Sequence, residues 1–361
     1  MAVELSSLQP GAALPSADLR ERELTDVDLT GADLAGADLR GAVLTGCVLT
    51  GSRLAGADFT DATLVDVELT GADLTGAVLT RALLSGVTLR RARCVSCNFG
   101  QAEIQESDLG DADLREASLT EVVIVASELS GARLSSCDLS GATLDGTNLA
   151  GATLVQTMLR RASLKSVNLT GAVCIEANFE EADATGATFT EATAPGATFK
   201  GATLVGISAR FADFSSCDLS YANAADGNFE RAALTAAEFF RFVGENAIFE
   251  FADLRNARLT SARLTNASLV GADLGGAVAR DCTLADADLY WAEVGRFSME
   301  NCVTSNARFP EAADIAYAPP GLAVPEVNGK PLCRTALTDS QRRELIHAAL
   351  SGEPPSSAEE R

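Results

Sequence analysis

The chain of 361 residues carries 50 acidic and 28 basic side chains, a formal charge of −22, with 5% aromatics, one Trp, one His and 30 Gly. That charge argues against direct binding to nucleic acid and suits solubility, a basic partner or imitation of a polyanion. The composition is unlike that of two or three ordinary globular domains and makes a repeat architecture the first expectation.

Residues 1–16 contain no Lys or Arg and no continuous apolar run, so they do not read as a secretory signal; no later run is long enough to span a bilayer. They are expected to form an N-terminal lead-in or cap to a cytoplasmic protein with no membrane contact. From there the sequence changes character. In LTGADLAGADLRGAVLTGCVLTG, residues 29–51, a Leu recurs every fifth position with Ala or Cys two places before it. A helix repeats every 3.6 residues and a strand every 2, so neither accounts for a period of five, and a short fixed period points to a solenoid. From Leu19 to Phe309 the large slot holds Leu, Phe, Ile, Val or Met in 50 of 59 cases, so the register never slips.

The recurring ADLAG, ADLRG, ADFTD and ANFEE segments resemble the pentapeptide repeat family, whose consensus is A-(D/N)-L-X-X, over residues 17–310. The resemblance implies an all-β solenoid, a right-handed quadrilateral β-helix with four pentapeptides per coil and both the large residue and the small one pointing inward. At strand spacing, ~15 such coils make a rod of ~70 Å. Larger residues at the small slots would overpack the narrow core, and the frequent Gly two places after the large residue suits a tight corner. Eight of nine cysteines fall in these slots: Cys94 and Cys174 in large ones, and Cys47, Cys97, Cys137, Cys217, Cys282 and Cys302 in small ones. They read as core residues; Cys282 and Cys302, stacked on adjacent coils, are the pair worth checking for a disulfide.

With twenty residues per coil, residues twenty apart stack in columns. Asp33, Arg53, Asp73, Arg93, Asp113 and Arg133 form an alternating column in which opposite charges stabilise neighbours by ~0.2–1 kcal/mol each. Two acidic columns, Asp18, Asp38 and Asp58, and Asp253, Asp273 and Glu293, stack like charges instead, at an expected cost in stability. Three stretches lack acidic residues altogether: 74–102 with Arg81, Arg90, Arg91 and Arg93, 146–175 with Arg160, Arg161 and Lys165, and 254–272 with Arg255, Arg258 and Arg263. They read as basic interruptions of an acidic surface. A further outward column holds Phe211, Arg231, Phe251, Gly271 and Trp291, with Tyr290 beside the last. Aromatics and Arg are the residue types enriched at binding hot spots, which makes this column a candidate partner site.

The stretch AEFFRFVGENAIFEF, residues 237–251, exchanges the slots within one side: Phe242 stands where a small residue belongs and Gly244 where a large one belongs. Either Phe242 fills the space Gly244 leaves, in a bulged corner, or one or two pentapeptides loop out. Looping out ten residues would shift every later column by half a coil and take Phe251 and Trp291 away from Phe211 and Arg231.

Residues 311–337 are Pro-rich and read as an irregular cap with a small hairpin around Asn328-Gly329. Residues 338–351 read as a helix, opened by a Thr338/Gln341 capping box and stopped by Gly352, with Leu345, Ile346, Ala349 and Leu350 on one apolar face. That face serves either as a cap or, as in the topoisomerase-protecting members the chain resembles, as a dimer contact. Residues 352–361 read as a disordered tail. No phosphate loop and no metal-ligand spacing occurs, and the lone His347 has no nucleophile near it in sequence, so no enzyme activity, metal or cofactor is expected. Two functions stay open. The resemblance implies an acidic DNA mimic that binds gyrase or topoisomerase IV and protects it from inhibitors; the aromatic column suits a protein-interaction scaffold or adaptor.

Overall fold

The computed structural model describes residues 7–310, the short segments 326–327 and 330–331, and Gln341, Arg343, His347, Ala348 and Leu350. Two compact units are distinguished, with the boundary between Asn168 and Leu169. Both are built from stacked parallel coils of a β-solenoid, about 14 turns in all.

Each pentapeptide is one side of a coil, and its backbone bonds both ways. In the first unit Asp33 N–H donates to Ala12 O at 2.8 Å on the preceding coil, and Leu34 N–H donates to Arg53 O at 2.7 Å on the following one. Every such pairing joins residues twenty apart, from Ala13 with Asp33 to Asp288 with Arg308. Coil pairing begins as early as Gly11, whose N–H donates to Thr30 O at 2.8 Å. On one side the pairing is long enough to count as strands: β1 (Glu23–Thr25), β2 (Val43–Thr45), β3 (Thr63–Val65), β4 (Leu83–Ser85), β5 (Glu103–Gln105) and β6 (Val123–Val125) form a six-stranded parallel sheet in chain order. In the second unit β7 (Arg258–Thr260), β8 (Val278–Arg280) and β9 (Ser298–Glu300) do the same.

The pentapeptide period becomes a square because a turn closes after each large residue. Ala37 N–H returns to Leu34 O at 3.0 Å, and the residue between them that turns the chain has φ near +60°, as Gly36 does at +65°. The turn therefore has a positive φ at its third residue and not at its second, the feature that distinguishes type II turns from type I. The inward residues are buried without exception through the middle of both units, the small slot beside the large one. A void lined by Leu259, Leu264, Leu269, Leu274 and Phe297 holds only about 10 Å³, at most one water.

Large and small residues trade places from coil to coil. Phe179 and Phe189 meet edge to face at 5.6 Å across one coil whose other sides hold the buried Ala184 and Ala194. Phe179 also stacks on Phe199 of the next coil at 4.7 Å. The slot exchange at 242–244 follows the same rule. Phe242 is fully buried, and a Cβ on Gly244 would come within 2.5 Å of its ring carbon Cε1, so the ring occupies the space a large residue at 244 would take. No pentapeptide loops out: Asn228 pairs with Ile248, Val243 with Arg263 and Ile248 with Ser268, all at a spacing of twenty. Nor does a bulge form. The corner bond from Phe242 N–H to Phe239 O lengthens to 3.4 Å but remains.

The thiols bear out the packing reading of the cysteines. Cys47, Cys94, Cys97, Cys137, Cys174, Cys217 and Cys282 are buried and free, and Cys302 is half-buried and free, so Cys282 and Cys302 form no disulfide. Cys97 donates to Leu74 O at 2.9 Å. The neighbouring Cys97 thiol and burial push the Cys94 thiol well above its usual range, and burial pushes Cys137 and Cys174 up to about 12. A thiol held protonated is a poor nucleophile, which agrees with a packing role for Cys94.

In the C-terminal region β10 (Glu326–Val327) pairs antiparallel with β11 (Lys330–Pro331), Val327 opposite Lys330, with Asn328-Gly329 between them in sequence. Gln341, Arg343, His347, Ala348 and Leu350 are helical, and Leu350 is exposed. Leu345, Ile346 and Ala349 of the expected apolar face, and the tail from 352, lie outside the described residues.

Candidate partner-binding surface

The unbroken spacing of twenty puts Phe211, Arg231, Phe251, Gly271 and Trp291 in one column, all in the second unit and all at corners. Their φ values are 56°, 59°, 57°, 65° and 58°. A bulky side chain at positive φ is disfavoured by about 1–2 kcal/mol because Cβ crowds the following carbonyl. The corners of residues 7–168 use Gly, Ser, Asp, Glu, Gln, Arg and Ala, and among the described residues none of them carries an aromatic ring. The second unit places Phe211, Tyr221, Phe251 and Trp291 there.

Their geometry is specific. The Arg231 guanidinium lies between two rings, its central carbon 5.5 Å from the centroid of Phe211 and 5.6 Å from that of Phe251. These distances fall within cation–π range. Arg231 Nε is buried with no hydrogen-bond partner and has only the Glu230 carboxylate at 3.6 Å. Glu230 in turn pairs with Arg210 at 2.8 Å, and Arg210 lies 5.6 Å from the outer ring, Phe211. Corner side chains lean toward the following coil. A Cβ on Gly271 would come within 2.6 Å of two carbons of the Phe251 ring, so the ring rests directly on that glycine. Phe251 nevertheless stays 40% exposed and Trp291 58% exposed. Tyr290 stacks on Trp291 at 4.7 Å and takes the Arg308 guanidinium at 3.7 Å on its ring.

A second cluster escaped the sequence reading. Tyr221, 47% exposed, meets Phe240 edge to face at 5.2 Å, and Arg241 caps both rings at 5.9 and 5.4 Å. Tyr221 and Arg241 share a column ten residues from the first, hence at the opposite corner of the coil. The signal was present as a second column of corner residues, one of which is flanked by Phe240.

The acidic columns are less acidic than their sequence suggests. Asp18, Asp38 and Asp58 stack as expected, but Arg20 pairs with Asp18 at 2.9 Å and with Asp38 at 3.4 Å, and Arg40 pairs with Asp38 at 2.6 Å and with Asp58 at 3.7 Å. The Arg20 hydrogen bond holds Asp18 down at about 2, and Arg40 holds Asp38 below the usual carboxylate value. Arg255 likewise bridges Asp253 at 2.5 Å and Asp273 at 3.5 Å. The expected cost of stacking like charges is therefore offset by interleaved guanidiniums. In a strand-like side, residues two apart point the same way, so Asp-Leu-Arg places both charges outward together. Asp273 still bears a penalty: burial and the neighbouring Asp253 charge raise its carboxyl above its usual value. Glu293 is exposed at the end of that column.

The alternating column is confirmed as a stack, with Arg53 to Asp33 at 3.4 Å and Arg133 to Asp113 at 3.7 Å. Two of the basic interruptions are corrected. Arg81 is held by Asp61 of the preceding coil at 2.6 Å, and Arg90 by Asp108 and Asp111 of the following coil, both at 3.2 Å. Arg258 meets Glu238 at 3.2 Å and Arg263 meets Glu245. A gap in acidity along the chain is filled from the coils above and below, so Arg81, Arg90, Arg258 and Arg263 each meet a carboxylate.

Among the described residues no helix is long and apolar enough to cross a membrane. No curated protein sequence matches the chain. Among solved structures, HetL, a pentapeptide repeat protein involved in heterocyst differentiation regulation from the cyanobacterium Nostoc sp. strain PCC 7120, is 26% identical with a TM-score of 0.40 over 60% of this chain and 87% of its own. Full-length QnrB1, a plasmid-mediated fluoroquinolone resistance protein, is 18% identical with a TM-score of 0.25 over 60% of this chain and 84% of its own. A pentapeptide repeat protein of the Arabidopsis thaliana thylakoid lumen is 26% identical with a TM-score of 0.21 over 34% of this chain and 69% of its own. The profile of pentapeptide repeats matches in eight copies, at residues 23–61, 42–81, 52–91, 82–121, 97–135, 127–165, 168–206 and 257–293. These cover more than half of the sequence, and the chain belongs to the pentapeptide repeat family.

Proposed function

We propose that the chain is a non-enzymatic binding solenoid that holds a protein partner on the aromatic corner column of its second unit. The observation that carries this reading is the Phe211–Arg231–Phe251 sandwich with Trp291 beyond it. Large rings are kept at positive-φ corners, with Phe251 and Trp291 left exposed, although Gly, Ala or a polar or charged residue closes the same turn at the other corners. Sites that keep disfavoured backbone or side-chain states tend to be functional ones. The test is co-purification of a partner with the native protein and with a Phe251→Ala/Trp291→Ala variant of unchanged circular dichroism. Loss of the partner supports the site, and undiminished recovery overturns it.

A second reading is favoured by the charge of −22: an acidic surface that imitates DNA and occupies gyrase or topoisomerase IV. The Arg-bridged acidic columns weaken it, because they replace a continuous run of free carboxylates with neutralised pairs. Purified gyrase assayed for supercoiling, with and without a fluoroquinolone, decides the matter. Salt-sensitive binding that competes with DNA supports mimicry, and no binding at low salt overturns it.

A further inference from the structure

One side of the coil is buried on its outward face. On another side, outward residues keep some exposure: Val125 and Val205 are half-buried and Leu83 is exposed. On the side that carries Asp113 and Arg115 the outward residues change along the chain. Val95 is half-buried, whereas Val155, three coils on in the same column, is fully buried, as is Ser135 between them. In the second unit the equivalent residues Ile175, Pro195 and Ser215 are buried, with Asp213 and Ala233 beside them. The burial has ended at Asp273 and Glu293, which are half-buried and exposed. Val95 and Val155 are one residue type at one position of the coil, so the difference comes from something lying over the outside. Water is excluded beneath it: Ser135 Oγ and Thr235 Oγ1 are buried without a hydrogen-bond partner.

We propose that this face is a docking surface for the chain's own C-terminal segment, the residues after 310. The proposal is independent of the aromatic-column reading. One contact identifies the occupant: Arg115 Nη1 donates to Leu350 O at 3.0 Å. It lies where the buried stretch begins, and the Arg115 side chain there is only 18% exposed. Both residues belong to the first unit. They are 235 positions apart in sequence, so no contact of the repeat brings them together. Charge favours the same occupant. Residues 328–343 carry Lys330, Arg334, Arg342 and Arg343 against Asp339 alone, a basic stretch in a chain of charge −22. The face carries the buried carboxylates of Asp213 and Asp253. Buried carboxylates require compensating charge or hydrogen bonds, which a basic segment supplies alongside Ser215 and Arg255. A face held in this way is closed to other proteins, which leaves recognition to the remaining sides and to the corners.

The experiment uses the full chain and reads the face from both sides. Ser135→Cys and Ser215→Cys each place a small thiol on the buried face. Thr75→Cys places one on the same side before the burial begins, and Ser85→Cys places one on another side, exposed. Maleimide labelling is followed site by site by peptide mass spectrometry, so the native thiols do not enter the comparison. The expected result is labelling of Ser135→Cys and Ser215→Cys slower by about tenfold or more than that of Thr75→Cys and Ser85→Cys. Equal rates overturn the proposal. The occupant is identified separately with p-benzoylphenylalanine in place of Arg133, on the same face, in a mixture of ordinary and isotopically heavy protein. The expected photoproduct joins residue 133 to a residue between 311 and 361 of the same copy. Products confined to the coils overturn the proposal, and products joining ordinary to heavy protein overturn it in favour of a second copy on the face.

Discussion

The first unit fills its coils with leucine and turns its corners mostly with glycine and short or charged polar residues; the second uses phenylalanine against alanine and puts rings on its corners. Both obey one packing rule. Phe59 and Phe99 are the only phenylalanines among the buried core residues of the first unit, whereas the second buries Phe179, Phe189, Phe199, Phe214, Phe229, Phe239, Phe242 and Phe249. In several coils the extra rings share the coil with an alanine or glycine: Phe179 and Phe189 with Ala184 and Ala194, Phe214 with Ala209 and Ala224, and Phe239 and Phe242 with Gly244. The difference teaches that the sum of side-chain volumes in a coil is constrained, while its division among the four sides is free.

The sharpest way to break that rule is Phe242→Ala. With Gly244 in the neighbouring large slot, the side would then hold no large residue, and destabilisation of about 3–5 kcal/mol is expected in urea unfolding. Adding Gly244→Leu restores the repeat's ordinary Ala-X-Leu order and should recover most of the loss. A double variant no more stable than the single one would show that the side is tied to Phe242 by more than volume. The matching test in the first unit is electrostatic. Arg115 and Asp113 form a half-buried pair at 2.7 Å, and Asp113→Ala leaves the guanidinium without its partner, with an expected loss of about 1–3 kcal/mol by the same measurement.

Acid should separate the units further. In the first, Asp18, Asp38, Asp61, Asp73 and Asp113 all ionise below the usual 3.8. They contribute stability above that pH, and it is lost as pH falls through their lowered values, to about 2 for Asp18. Asp273 in the second unit is raised. Its ionised form opposes folding above the raised value, and that penalty disappears as pH falls toward 3.8. Hydrogen exchange followed from neutral to strongly acidic pH should therefore show residues 7–168 losing protection first. Equal loss in both units would contradict the assignment. The smallest effect belongs to the corners. Phe251→Gly removes a cation–π contact and a disfavoured φ of similar size, so thermal unfolding should change by no more than about 0.5 kcal/mol. A large loss would mean that the ring is structural.

The repeat made the core legible in the sequence: the large and small slots, the burial of the cysteines and the stacking of Asp33 on Arg53 all follow from a period of five and a coil of twenty. The exchange of Phe242 and Gly244 was legible as a volume trade, but whether the chain would loop out depended on whether one ring fits the space, which only the packed coil shows. The surface was less legible. The acidic columns were read along one column at a time, yet Arg20, Arg40 and Arg255 sit two residues away on the same outward side and bridge successive rungs. Asp-Leu-Arg at 18–20, 38–40, 113–115 and 253–255 carried that signal. The basic stretches misled for the complementary reason: Arg81 and Arg90 have few acidic neighbours in sequence, but their spatial neighbours are about twenty residues away.

A chain whose coil-to-coil pairings fall twenty residues apart counts insertions and deletions in its own arithmetic. Removing any twenty consecutive residues from the interior of a unit deletes one coil and leaves every remaining side chain on its original face. Removing five rotates everything downstream by a quarter turn. A single pentapeptide lost between Arg231 and Phe251 would leave the core slots satisfied, yet carry Trp291 to a different corner from Phe211. Such a chain could keep its stability and lose its binding surface, so the length of the segment between two corners is as much a determinant of recognition as the residues that stand on them.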